Sequence, residues 1–164
     1  MQFKRFWGMY CLGLILFIIL VLIFRNLKVD AYDPQSEVFP RTHEVDCVEL
    51  TYEDAQLLMK IADAESHNQG PDGEWLVMSV VINRVNSPEF PDNVHDVIYQ
   101  DYQFYTKGMK KEASQEAHEA LARIEKGDVA PEIIGFEKTT NKSLEKYFSS
   151  AFDYRDHRFY TLKK

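Results

Sequence analysis

Disulfides are the first thing this sequence does without. Its 164 residues hold two cysteines, Cys11 inside a long apolar run and Cys47 beyond it. The two cannot pair within one chain, so a domain outside the run must hold together by packing alone. Metal-ligand spacing is missing as well. His43, His67, His95, His118 and His157 never pair at a motif distance. His43-Glu44 opens the H-E-x-x-H pattern, but Cys47 stands where the second histidine belongs. The sequence therefore supports neither a bound metal nor any other cofactor. There is no internal repeat and no low-complexity tract. Positive charge is scarce too. Beyond residue 30 the chain carries 15 Lys and Arg against 25 Asp and Glu, since residues 1–30 take up four of the 19 basic residues and one of the 26 acids. A domain with that balance is poorly suited to nucleic acid or to an anionic membrane surface.

What the chain does have is an uncharged, proline-free run at residues 6–24, "FWGMYCLGLILFIILVLIF". About 20 apolar residues span the hydrocarbon core of a bilayer as a helix. Lys4, Arg5 and the α-amine precede it, and Arg25 and Lys28 follow, a small bias towards N-inside, C-outside. Residues 1–28 are thus expected to form a single-pass membrane anchor with basic flanks, leaving the remainder outside the cytoplasm. The alternative is secretion after cleavage following Ala31, because Val29-Asp30-Ala31 resembles a cleavage site. The run is longer than the usual apolar core of a signal peptide, which favours the anchor. Residues 29–49, aperiodic and with two prolines, read as a stalk, and residues 50–164 as one modest globular domain.

Within that domain the spacing predicts a mainly α fold. A first helix is expected over 52–66, where Thr51 and Asp54 match a capping box. Gly70-Pro71 marks a break, and a second helix is expected over 73–86 with Asp72 as its cap. Its stretch "EWLVMSVVINRV" is apolar on most sides, so it should be the central buried helix. "NSPEFPDN" is a turn-rich connection, 93–99 a short helix, and 112–126 a third long helix ended by Gly127. The aromatic tail over 132–164 is expected to hold a short hairpin or isolated turns.

Two acids stand two residues apart in "IADAESHNQG", Asp63 and Glu65. On a helical wheel Leu58, Ile61 and Ala62 define the apolar stripe; Glu65 falls inside it and Asp63 roughly opposite. Asp63 therefore reads as a solvated surface acid. Glu65 reads as a carboxyl on a buried face at a helix end, where desolvation raises the pKa towards that of a general acid. The competing reading is a helix-terminal Glu that turns out to water.

Further along, Ala64-Glu65-Ser66, Gly73, Asn83-Arg84-Val85, Ser87, Phe90-Pro91, Val94, Asp96-Val97-Ile98-Tyr99-Gln100 and Gln103-Phe104 follow one another in order, and the tail ends His157, Phe159, Tyr160. This series resembles the cell wall hydrolase family of spore germination, the cortex-lytic type, over about residues 51–164. The resemblance implies a small lysozyme-like, transglycosylase-like helical domain. It implies Glu65 as the catalytic acid, and peptidoglycan glycan strands cut between N-acetylmuramic acid and N-acetylglucosamine, as by a lytic transglycosylase. The chain departs from the pattern at Gln69, where a second acid is often found, and after Gln103-Phe104, which runs on as "YTKG".

Glycosidases normally use two carboxyls. Asp72, Glu74 and Glu89 are the candidates for a second, but Asp72 and Glu74 are more simply the dipole-favoured start of a helix and Glu89 turn surface. Tyr99, Gln100, Tyr102, Gln103 and Phe104 supply rings and amides suited to sugars, with about half expected in the core and the two glutamines the better cleft candidates. A hydrolytic muramidase or glucosaminidase, an amidase, and a wall-binding module without activity remain the alternatives. The sequence identifies no accessory wall or germination protein as partner.

Overall fold

The structure, a computed structural model, describes residues 49–163 and the backbone of His43–Glu44. The expected anchor over 6–24, the cleavage site after Ala31 and both cysteines lie outside these residues. Among the described residues no helix is long and apolar enough to cross a membrane.

Helix α1, Tyr52–Ser66, starts where the capping box puts it. The Thr51 hydroxyl accepts from the Asp54 N–H at 3.1 Å and donates to the Asp54 carboxylate at 2.7 Å. Helix α2, Gly70–Val85, begins earlier than its apolar pattern suggests. Gly70 at φ +68° makes the turn itself, and Pro71 fits the first helical turn because its missing N–H has no helical acceptor to lose. Gly70-Pro71 therefore opens the second helix rather than breaking the chain before it. Asp72 is not the cap; its carboxylate takes the Arg123 guanidinium at 2.7 Å.

The short α3, Val94–Ile98, is capped by Asn93, which accepts from the Asp96 N–H at 2.8 Å. Helix α4, Gln115–Ile124, is shorter than expected at both ends. Ser114 caps it, accepting from the Ala117 N–H at 3.1 Å, and Gly127 at φ +79° closes it by donating to the Ile124 carbonyl at 2.9 Å.

Helix α2 is the centre of the fold, buried without interruption from Gly73 to Ile82. It packs against α1, α3, α4 and a sheet. Leu58 and Ile61 of α1, Val97 and Ile98 of α3, and Ala117, Ala120 and Ile124 of α4 close the core around it, all fully buried. The tail is more regular than the expected short hairpin or turns. Strand β3, Ile133–Lys138, joins a hairpin of β4, Phe148–Tyr154, and β5, His157–Leu162, in an antiparallel sheet of order β3-β5-β4. Phe136 and Phe152 both stand opposite Phe159, and Tyr154 opposite His157. Ahead of α1, His43–Glu44 forms β1, which pairs with β2, Asp128–Val129. The domain is a helical core closed on one side by a three-stranded sheet.

Candidate active site

Glu65 occupies the last turn of α1 and is half-buried. The loop after α3 crosses this helix end, and the Tyr105 main-chain N–H donates to Glu65 Oε1 at 2.5 Å. Burial pushes the carboxyl pKa up, and the Tyr105 bond opposes part of that rise by favouring the ionised form. Because Oε1 already accepts an N–H, the acidic proton belongs on Oε2. The competing picture, a Glu turned out to water, does not fit this geometry.

The five sugar-facing candidates are spread around that loop, and among the described residues none hydrogen-bonds Glu65. Tyr102 is fully exposed and sits at φ +63°, in a turn closed by the Gln103 N–H on the Gln100 carbonyl at 3.2 Å. Tyr99 is exposed, with its ring 4.7 Å from that of His95. Gln103 is exposed, but its amide oxygen accepts from Arg84 at 3.1 Å. The Gln100 oxygen is buried and has no hydrogen-bond partner. Phe104 faces inward between Arg84 and Phe136, so it is the packing member of the set.

Sequence reasoning missed Tyr105, whose exposed ring lies over Gly108. A Cβ there would meet the Tyr105 ring at 2.5 Å. A surface groove of about 390 Å³, lined by Asn83, Ser87, Glu132, Ile134, Thr161 and Leu162, contains none of the sequence-predicted site residues.

The wheel misplaced Asp63. It is 2% exposed, not solvated. Helix α1 touches α2 on one side and α3, α4 and the covering loop on others, so its buried arc is far wider than one stripe. Met59, Asp63 and Ser66, at i, i+4 and i+7, lie on a second buried face, and that alignment was the available signal. Glu74 is likewise no solvated helix-start acid. It is 1% exposed, and its pKa is pushed up to about 7, first by burial and then by the Asp63 charge. Its only bond among the described residues is a 3.3 Å donation from the Ser114 hydroxyl. Sealed in this way, Glu74 and Asp63 are out of reach of a substrate. Asp72 is tied up with Arg123, and Glu89 is exposed in its turn. Among the described residues no three His, Cys, Asp or Glu side chains cluster closely enough to hold a metal ion.

The turn after Glu65 is fixed from the far end of the chain. Buried Gln69 donates through Nε2 to His157 Nδ1 at 3.0 Å, and the Tyr154 hydroxyl donates to the Gln69 carbonyl at 3.2 Å. Burial lowers the His157 pKa, in keeping with a neutral ring whose Nδ1 accepts.

A spore cortex-lytic enzyme of Halalkalibacterium halodurans is 39% identical over 51 residues, which make up 31% of this chain and 16% of that protein. The chain thus matches less than a fifth of the length of this curated relative. The catalytic domain of the Bacillus cereus SleB protein superposes with a TM-score of 0.62 at 20% identity, over 69% of this chain and 93% of that one. The catalytic domain of the germination-specific lytic transglycosylase SleB from Bacillus anthracis gives a TM-score of 0.61 at 19% identity, over 68% and 97%. At such identities the likeness is one of fold. The profile of the cell wall hydrolase family matches residues 68–160, from the turn after Glu65, through α2 and the covering loop, to the last strand. Glu65 itself lies three residues ahead of that match. With more than half of its length matched, the chain belongs to the cell wall hydrolase family.

Proposed function

We propose that this chain degrades peptidoglycan, cutting the glycan strand between N-acetylmuramic acid and N-acetylglucosamine as a lytic transglycosylase with Glu65 as its one catalytic acid. The observation that carries the reading is the Glu65 carboxyl itself. It ends a helix, is half-buried with a raised pKa, and has one oxygen fixed by a main-chain N–H and the other left to carry the proton. Family membership, and the shared fold with a domain described as a lytic transglycosylase, support the same direction.

Glu65 Oε2 donates its proton to the glycosidic oxygen as the bond to C1 breaks. The carboxylate left behind then takes the proton of the muramic acid C6 hydroxyl as that oxygen attacks C1, giving a 1,6-anhydro sugar. This route needs neither water nor a second carboxylate. The sealing of Glu74 and Asp63 and the pairing of Asp72 favour it over a two-carboxylate hydrolase. Tyr99, Tyr102, Gln100 and Gln103 stand as glycan contacts, with Phe104 beneath them. Residues 1–28 serve as a single-pass anchor and 29–49 as a stalk that holds the 50–164 domain on the extracytoplasmic side.

Turbidity loss of purified walls, followed by mass spectrometry of the products, tests the chemistry. Glu65→Gln is expected to lower the rate by at least about 10²–10⁴-fold, the usual contribution of a general acid. Its melting temperature should hold or rise, because a neutral amide avoids the desolvation cost of a carboxylate. Wild-type products should be anhydro-muropeptides; reducing-end sugars would point to a hydrolase and free stem peptides to an amidase. Near-wild-type lysis by folded Glu65→Gln protein would remove Glu65 as the acid. Release by carbonate extraction, or an N-terminus at Tyr32, would replace the anchor with a cleaved leader.

A further inference from the structure

Arg84, near the end of α2, is 5% exposed and has no carboxylate partner among the described residues. Its Nε donates to the Ile134 carbonyl at 2.6 Å and its Nη1 to Gln103 Oε1 at 3.1 Å. The guanidinium lies 4.9 Å from the ring centre of Phe90 and 5.1 Å from that of Phe104. Burial without an acid is costly for a cation, and it draws the Arg84 pKa down to about 10. What the arrangement gains is a grip on two consecutive residues of the loop. Arg84 holds the Gln103 amide and the Phe104 ring, and the next residue, Tyr105, presents its N–H to Glu65 Oε1. The same loop is also held by the Phe104 ring against Phe136 and by its own turns, with the Gln103 N–H on the Gln100 carbonyl and the Gly108 N–H on the Tyr105 carbonyl.

We propose that Arg84 is a positioning residue for Glu65, clamping Gln103 and Phe104 so that the Tyr105 N–H stays on the Glu65 carboxylate. The inference rests on the reading of Glu65 as the catalytic acid. It assigns Arg84 a task that lysine cannot perform, because an ammonium has neither the planar fork nor the flat face that stacks on two rings. Burial and the Tyr105 bond account for the state of the Glu65 carboxyl; no charged side chain among the described residues contributes. Loosening the clamp therefore removes the one contact that favours ionised Glu65.

The test is a carbon-13 titration of the Glu65 side-chain carboxyl in the full chain, held in detergent micelles and assigned by its loss in Glu65→Gln. Arg84→Lys, Gln103→Leu and Tyr105→Pro are compared with wild type. Tyr105→Pro deletes the N–H at a residue whose φ of −82° proline accepts. The Glu65 midpoint should move to higher pH in all three, most in Tyr105→Pro. A midpoint that moves in Tyr105→Pro but not in the other two would reduce Arg84 to packing, and one unmoved in all three would overturn the whole relay. Should Arg84→Lys fail to fold, Gln103→Leu decides by the same criterion. Wall lysis by Glu65→Gln is scored separately, so a failure of the catalytic reading is distinguishable from a failure of the clamp.

Discussion

The Ser114 hydroxyl donates to Glu74 Oε1 at 3.3 Å, while Glu74 Oε2, fully buried, has no partner. A carboxyl in that position resists ionisation, and its pKa of about 7 against an ordinary 4.5 reflects this. The folded-state pKa is raised, so it is the charged form that folding disfavours. Below the unfolded-state value both states are protonated and nothing is lost. Stability should fall as the pH rises from there to about 7, then level off at a lower value. Glu74→Gln keeps an acceptor for Ser114 and removes the charge that burial and Asp63 disfavour. It should melt several degrees above wild type at pH 8 and much closer to it at pH 4. Thermal unfolding at both pH values checks this; equal gains at both would mean that ionisation of Glu74 is not the cause.

Asp63→Asn separates the two acids by a different readout. Asp63 is sealed and does not bond Glu65, so wall lysis should stay within a few-fold of wild type. Its charge helps to raise the Glu74 pKa, so its removal should make the loss of stability towards pH 7 smaller and complete at lower pH. A loss of lysis comparable to that of Glu65→Gln would make Asp63 part of the chemistry.

Gly73 lies where the turn after Glu65 folds back on α2. A Cβ at this position would stand 2.4 Å from Gln69 Cβ and 3.4 Å from the Tyr154 ring. Gly73→Ala must displace Gln69, and with it the bond to His157. A destabilisation of about 1–3 kcal/mol is expected, as for other overpacked sites. Denaturant unfolding measures it, and a neutral result would show that the turn yields freely.

Tyr102 combines full exposure with φ +63°, a backbone region that costs a non-glycine residue about 1–2 kcal/mol. Strain at an exposed ring suggests that the ring is kept for contact with substrate. Tyr102→Gly should raise stability by about 1 kcal/mol and lower wall binding in a co-sedimentation assay. Undiminished binding would take Tyr102 out of the glycan contacts.

The parts of the fold legible in the sequence were those set by neighbours within a helical turn or two. Thr51 with Asp54 marked the start of α1, and Gly127 marked the stop after α4. The stretch "EWLVMSVVINRV", apolar on most sides, marked α2 as central. The sheet was not legible, because its pairing joins distant segments and shifts register between Ile133 and Gly135 and between Ser150 and Phe152. Those shifts spoil the alternation that identifies strands; Phe159 and Tyr160 are adjacent, yet both are fully buried. At the site, Glu65 stood out because its stripe is local to α1. Tyr105 did not, because it acts through a main-chain N–H that any residue but proline possesses. Asp63 and Glu74 were misjudged for a third reason: each is buried by helices whose placement no single helix encodes.

The bond between Gln69 and His157 joins residues 88 apart in the chain. During synthesis, the turn that follows Glu65 emerges long before its partner does. Until β5 has been made and paired, Gln69 lacks the ring that holds it, and Tyr154 cannot reach the Gln69 carbonyl from a settled strand. The turn after Glu65 therefore takes its final geometry only once β4 and β5, some 80 residues further along, have been made and paired.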